Sequence, residues 1–256
     1  MWVRAIGGVL VGGMVALCAL LVVVIVQLRS APGWWTEAPT APGAVAQAAA
    51  TGEAIEHGIS RVLHAPRSPD PMWDGADGSW RSEAWGVTLA SEDANAWLSS
   101  RLPMWLSSGD EAIEWPEGAS PVRLAFEAGS LRLGVRVPTE DGDRVLSATV
   151  RPYVGADGGL WLPARAVHVG RLTIPATWVL DQAERERRSF VPKDWADRPE
   201  TRAMFDVFAG ERPVLYDPVF KLGDGRRVRV LNVTSQGGRM VVTCRTERGT
   251  RQAHRR

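Results

Sequence analysis

Val122-Arg-Leu-Ala-Phe-Glu-Ala-Gly-Ser-Leu-Arg-Leu-Gly-Val-Arg-Val137 is the stretch on which the fold turns. Val122, Leu124 and Phe126 alternate with Arg123, Ala125 and Glu127, and Leu131, Leu133, Val135 and Val137 alternate with Arg132, Gly134 and Arg136. A period of two sends successive side chains to opposite faces, so each run predicts a strand with one apolar and one polar face. A third strand is expected near 144–154, after the turn Thr139-Glu-Asp-Gly-Asp143, and a fourth near 160–169, after Asp157-Gly-Gly159. Short connections rich in Asp and Gly favour an antiparallel meander with one buried face.

The flanks supply helices. Trp85-Gly-Val-Thr-Leu-Ala90 predicts a strand that runs into a helix capped by Ser91, with Glu92 and Asp93 in its first turn. Ala94, Trp97, Leu98 and Leu102 recur at helical spacing, and Pro103 is expected to end that helix. Residues 51–63 predict a short amphipathic helix behind Thr51, with Ile55, Ile59, Val62 and Leu63 on one side, and the proline-rich stretch 65–80 predicts a loop. Further on, Pro175 opens a helix through Arg188 with Trp178, Val179 and Ala183 as its apolar side, and residues 199–209 predict another. A hairpin closes the chain: 226–234, the turn Ser235-Gln-Gly-Gly238, then 239–246. The fold class expected is α+β, an antiparallel β-meander packed by short helices over residues 51–246.

Ahead of this domain, residues 5–28 (AIGGVLVGGMVALCALLVVVIVQL) carry no charge between Arg4 and Arg29. A helix of that length would be roughly 36 Å long, enough for a bilayer core of about 30 Å. The run exceeds a usual signal-peptide core, and no small-x-small cleavage site follows it, so residues 1–28 are expected to be an uncleaved signal-anchor. The lipid bilayer is then a partner, with residues 29–256 on the extracytoplasmic side of the cytoplasmic membrane. Gly8 and Gly12 make a spacing that lets two such helices pack, so a helix–helix dimer is one expectation. Residues 29–50, with Pro32, Pro39 and Pro42, are expected to be a tether, and Trp34 and Trp35 to anchor at the membrane interface. Residues 247–256 form a basic tail.

Two segments carry a resemblance. One is the strand-to-helix passage Val87–Leu98 with Thr88, Asn95 and Leu98; the other is the long strand Gly158–Pro175 ending Val169-Gly-Arg-Leu-Thr-Ile-Pro175, followed by a helix. With a single N-terminal membrane helix and a meander, they resemble the YpmS-like family of membrane-anchored bacterial proteins, and the pattern is similar to exported lipid-binding-like domains of the LmeA type. The resemblance covers about residues 86–181 and implies an extracytoplasmic α+β domain holding lipid or an apolar envelope molecule. It brings no catalytic residues. The long tether, the 12 tryptophans and the Arg-rich C-terminus depart from it.

The chain has 256 residues, 45% of them hydrophobic and 23% charged, which excludes disordered and disulfide-stapled classes. Its net charge of +1 supplies no general attraction to nucleic acid. Cys18 lies in the apolar run and Cys244 in the last strand, so no disulfide is expected, and Cys244 reads as a small buried apolar residue. No Gly-x-Ser-x-Gly elbow, P-loop or Gly-x-Gly-x-x-Gly is present. His57 and His64, seven apart, lack a chelating spacing and read as surface or cap residues, as does His168 before Gly170. Asp70, Asp74, Asp77, Asp141 and Asp143 fit turn chemistry rather than a calcium loop. No catalytic residue, metal or cofactor is therefore assigned.

Tryptophans are dense between 73 and 115. Trp97 falls on the apolar side of its helix and reads as core, whereas Trp105 and Trp115 flank a loop and are the candidates for contact with an apolar ligand or the membrane. Residues 221–256 hold ten Lys and Arg against Asp224 and Glu247. No aromatics interleave there, so Arg227, Arg229, Arg239 and Arg245 read as solvated positions of the hairpin. The function expected is non-catalytic binding of a lipid, an apolar envelope molecule or a membrane protein partner. An alternative stays open: an envelope hydrolase working on glycan or lipid through carboxylates whose pairing a sequence does not display.

Overall fold

The computed structural model of the protein describes residues 23, 25–75, 79–108, 118–139, 142–185 and 199–248. Its architecture is α+β, with antiparallel sheets and short helices. In chain order the described elements are α1 (Pro42–His64), β1 (Trp80–Arg81), β2 (Trp85–Ala90), α2 (Ser91–Ser100), α3 (Leu102–Ser107), β3 (Arg123–Glu127), β4 (Ser130–Val137) and β5 (Arg144–Val150). There follow β6 (Tyr153–Val154), β7 (Leu160–Trp161), β8 (Ala164–Val169), β9 (Leu172–Pro175), α4 (Ala176–Arg185), α5 (Pro199–Ala209), β10 (Val219–Lys221), β11 (Arg227–Gln236) and β12 (Arg239–Arg248).

The meander is the first sheet, in the order β3-β4-β5-β8-β9, every pair antiparallel. Its third strand stops at Val150, ahead of Pro152, and the long strand expected over 158–175 is cut into β7, β8 and β9 by Pro163 and by a turn at Gly170, whose φ is +59°. On its apolar face Phe126, Leu131 and Val150 pack with Ala94 of α2 into one core cluster, at whose margin Leu131 also borders a cavity. The open edge of β3 is covered by α2: the Asn95 amide both donates to the Leu124 carbonyl and accepts its N–H, each at 2.8 Å. One turn earlier, Ser91 accepts the Phe126 N–H at 3.0 Å and donates to the Gly238 carbonyl. Ser91 thus stitches the helix to both sheets and does not cap it, because the strand edge competes for its hydroxyl; Ala90 holds the cap position. Pro103, expected to end this helix, instead opens α3, since the first turn of a helix needs no N–H there.

The second sheet places β12 between β11 and, on its other side, both β2 and β1; β10 closes the far edge of β11. The tip of the β3–β4 hairpin is fastened to it through Ser235, whose hydroxyl reaches the Glu127 and Ser130 carbonyls while its own carbonyl accepts the Gly129 N–H. Arg227 and Arg239 are exposed on the outer face, as expected. Arg229 and Arg245 are half-buried, and Arg229 is paired with Glu247 and Asp217 rather than simply solvated.

Two boundaries differ from expectation near the N-terminus. The helix expected over 51–63 begins at Pro42, absorbing half of the expected tether, because proline suits the first helical position and the alanines between 44 and 50 are the strongest helix formers. Thr51 is interior to it. Among the described residues no helix is long and apolar enough to cross a membrane; residues 1–22 and 24 of the expected anchor, including Gly8 and Gly12, lie outside the described residues. The helical residues 25–29 that are described end against the β8–β9 turn, where Gln27 accepts the Arg171 N–H at 2.8 Å.

Candidate functional site

The site is built from a helix laid across a sheet. On α1, Ile55, Gly58, Ile59, Val62 and Leu63 follow the i, i+3, i+4, i+7, i+8 spacing of one face. Beneath them, Val87 and Leu89 of β2, Met240, Val242 and Cys244 of β12, and Val228, Val230 and Val233 of β11 point the same way in register. A bulge between Val230 and Asn232 is required for this: it absorbs Leu231, so that Val233 takes the inner face one position later than strict alternation from Val230 would place it.

Between these surfaces lies a cavity of about 580 Å³. That is within the range of small-molecule sites, about 300–1,000 Å³. Leu131, Pro152, Leu160 and Leu162 also line it, as do Ile59 and Phe220, which are 40% and 50% exposed to solvent. Among the described residues, Thr88 and Asp93 supply the only oxygen-bearing side chains on its wall, and no Lys, Arg or His lines it. Cys244, a free thiol as expected, is buried on this wall, and burial pushes its pKa up, so it stays a neutral apolar group.

Polar contacts outside the cavity hold α1 over it. Near the middle of the helix, Gly52 lets α1 approach α2 so closely that a Cβ there would overlap the Ser100 hydroxyl. Glu56 then pairs with Arg101 at 2.5 Å and accepts the Trp97 indole N–H at 3.0 Å. The Arg101 hydrogen bond is the main reason the Glu56 carboxyl is held below its ordinary pKa. At the C-terminus, Arg226 donates to the His64 and Ala65 carbonyls at 2.8 and 3.2 Å, and Arg67 to the Val62 carbonyl at 2.6 Å. Cationic donors there satisfy the carbonyls that a helix end leaves free. Gly58, between these fastenings, has nothing within 4 Å of where its Cβ would stand.

The residues singled out in the sequence fall elsewhere. Trp105, 65% exposed on α3, meets the ring of Trp97 edge-on at 6.3 Å and does not line the cavity; Trp115 lies outside the described residues. Trp97 is half-buried, its indole used in the latch. Trp34 and Trp35 lie against the polar face of the first sheet, Trp34 over Gly134 and Trp35 beside the Arg136 guanidinium. His168 is buried, not solvated: its two ring nitrogens meet the hydroxyls of Thr149 and Thr173 at 2.9 and 3.0 Å, a polar niche available because β5 and β9 flank β8. Burial, then the charge of Arg132, pushes its pKa down. Arg123, placed on the solvent side by alternation, is buried at 4% exposure, donating to the Asn95 and Glu37 carbonyls because residues 31–37 cover that face. Among the described residues, no three His, Cys, Asp or Glu side chains converge as a metal site.

Sequence reasoning named the stripe on α1 but not the cavity beneath it. The usable signal was Gly58 at the centre of that stripe, where a packed helix would carry an apolar side chain. Compared with protein-family models, curated proteins and solved structures, the chain matches none.

Proposed function

We propose that this protein is a membrane-anchored, extracytoplasmic binding protein that holds an apolar molecule of acyl-chain type, non-catalytically, between α1 and the second sheet. The observation that carries this is the 580 Å³ apolar cavity, bridged by a helix fastened through polar contacts outside it. Burying apolar ligand surface there is favourable by roughly 25 cal/mol per Å². The charge-free run 5–28 and the resemblance to membrane-anchored lipid-binding-like families support the location and the ligand class. The hydrolase reading needs two converging acids, and among the described residues the cavity wall offers Asp93 alone.

The test is native mass spectrometry of residues 29–256, exported and purified without detergent. Bound lipid that leaves on mild activation is expected for the natural sequence and absent for Gly58→Leu, whose side chain occupies the cavity. An apo mass after incubation with membrane lipids would sink the proposal.

A further inference from the structure

The polar face of the first sheet carries a site of its own. Its register sets Arg123, Gly134, Ser147, His168 and Thr173 in one row across five strands. Residues 27–37 run over this face, strapped by arginines: Arg171 donates its Nε–H to the Ala31 carbonyl at 3.1 Å, Arg123 donates to the Glu37 carbonyl at 2.9 Å, and Arg136 pairs with the Glu37 carboxylate. A pocket of about 150 Å³ remains between strap and sheet, lined by Pro32, Trp34, Arg132, His168, Arg171 and Thr173 with two glycines.

Its wall is rich in donors and short of acceptors. Among the described residues, two guanidiniums line it and no carboxylate does. Glu127 occupies the Nε side of Arg132 at 3.0 Å, and Arg171 has no carboxylate partner among the described residues. Trp34 Nε1 is buried without a hydrogen-bond partner among the described residues. A buried donor left unmatched is costly, and a tetrahedral oxyanion offers several acceptors and the missing negative charge together. The volume suits a single phosphate-sized group and excludes a lipid tail.

We propose that this pocket binds a phosphate-class oxyanion, either free or as the phosphate of a lipid headgroup. The pocket lies where residues 25–29 lead out of the apolar run, which is the depth at which a headgroup would be met if that run is embedded.

The test uses the full chain with ¹⁵N-labelled tryptophan in an uncharged maltoside. The Trp34 indole signal is identified by its loss in Trp34→Phe. Inorganic phosphate should move that signal saturably, and Arg132→Gln and Arg171→Gln should each weaken binding about tenfold or more. Arg171 is exposed, so its replacement leaves both cores intact. The same protein in phosphatidylglycerol nanodiscs without added phosphate separates the sources. A Trp34 signal already at its bound position identifies the headgroup; one that moves only when phosphate is added identifies the free anion. A signal that moves in neither setting, or moves equally in both arginine variants, overturns the proposal.

Discussion

The two five-stranded sheets meet their helices in opposite ways. On the first, α2 presents Ala94 to Phe126, Leu131 and Val150, and Asn95 and Ser91 bind the strand edge directly, so helix and sheet close on one another. On the second, α1 is held by Glu56 to a neighbouring helix and by Arg226 and Arg67 at its end; Leu63 packs on the core of Val228, Val230, Val233 and Cys244, while Ile55, Ile59 and Val62 line the cavity. A helix fastened through its buried face makes a core. A helix fastened outside that face can leave room for something else.

The sharpest way to break the comparison is to remove packing from each sheet. Phe126→Ala in the first core should cost about 3–5 kcal/mol in chemical denaturation. Val242→Ala on the cavity wall should cost about 1 kcal/mol, since part of that side chain already faces open space. Equal losses would mean that the second sheet is as closed as the first.

A smaller effect probes the end of the bridge. Arg226→Gln removes charged donors from the carbonyls of His64 and Ala65 and should destabilise the protein by about 2 kcal/mol. Hydrogen exchange should speed up in the last turn of α1 and stay unchanged in α2.

Two glycines on one helix sharpen the contrast further. Gly58→Ala should stabilise by about 1 kcal/mol through helix propensity alone, because its Cβ enters open space. Gly52→Ala should lose that gain, since the new methyl displaces the Ser100 hydroxyl from the Ala96 carbonyl it binds at 2.7 Å. Thermal melts of the two variants compare them directly.

The latch at Glu56 adds a pH dependence. Its pKa is lowered in the folded protein, so the stability it contributes is full above the ordinary carboxylate range and is lost as pH falls through the folded value. Exchange in the middle of α1, corrected for intrinsic rates, should therefore rise on acidification. The effect should disappear in Glu56→Gln.

Much of both sheets was legible because alternation is a local property: β3 and β4 of the first and the closing hairpin of the second stand where Val122–Val137 and residues 226–246 placed them. What misled was local too. Ser91 has a capping residue's chemistry and Pro103 a terminator's, yet Ser91 took its role from Phe126, distant in sequence, and Pro103 from the turn into α3 beside it. His168 and Arg123 looked solvated because the chain that covers their face, residues 31–37, was read as a tether.

By itself the sequence determined the α+β class, the strand faces and the apolar stripe on α1, because periodicity depends only on residues a few positions apart. Only the tertiary structure decided that the stripe overhangs a cavity and that arginines gather under a strap. Both depend on the separation between surfaces, and that separation is set by contacts such as Gly52 against Ser100 and Arg226 against His64, far apart along the chain.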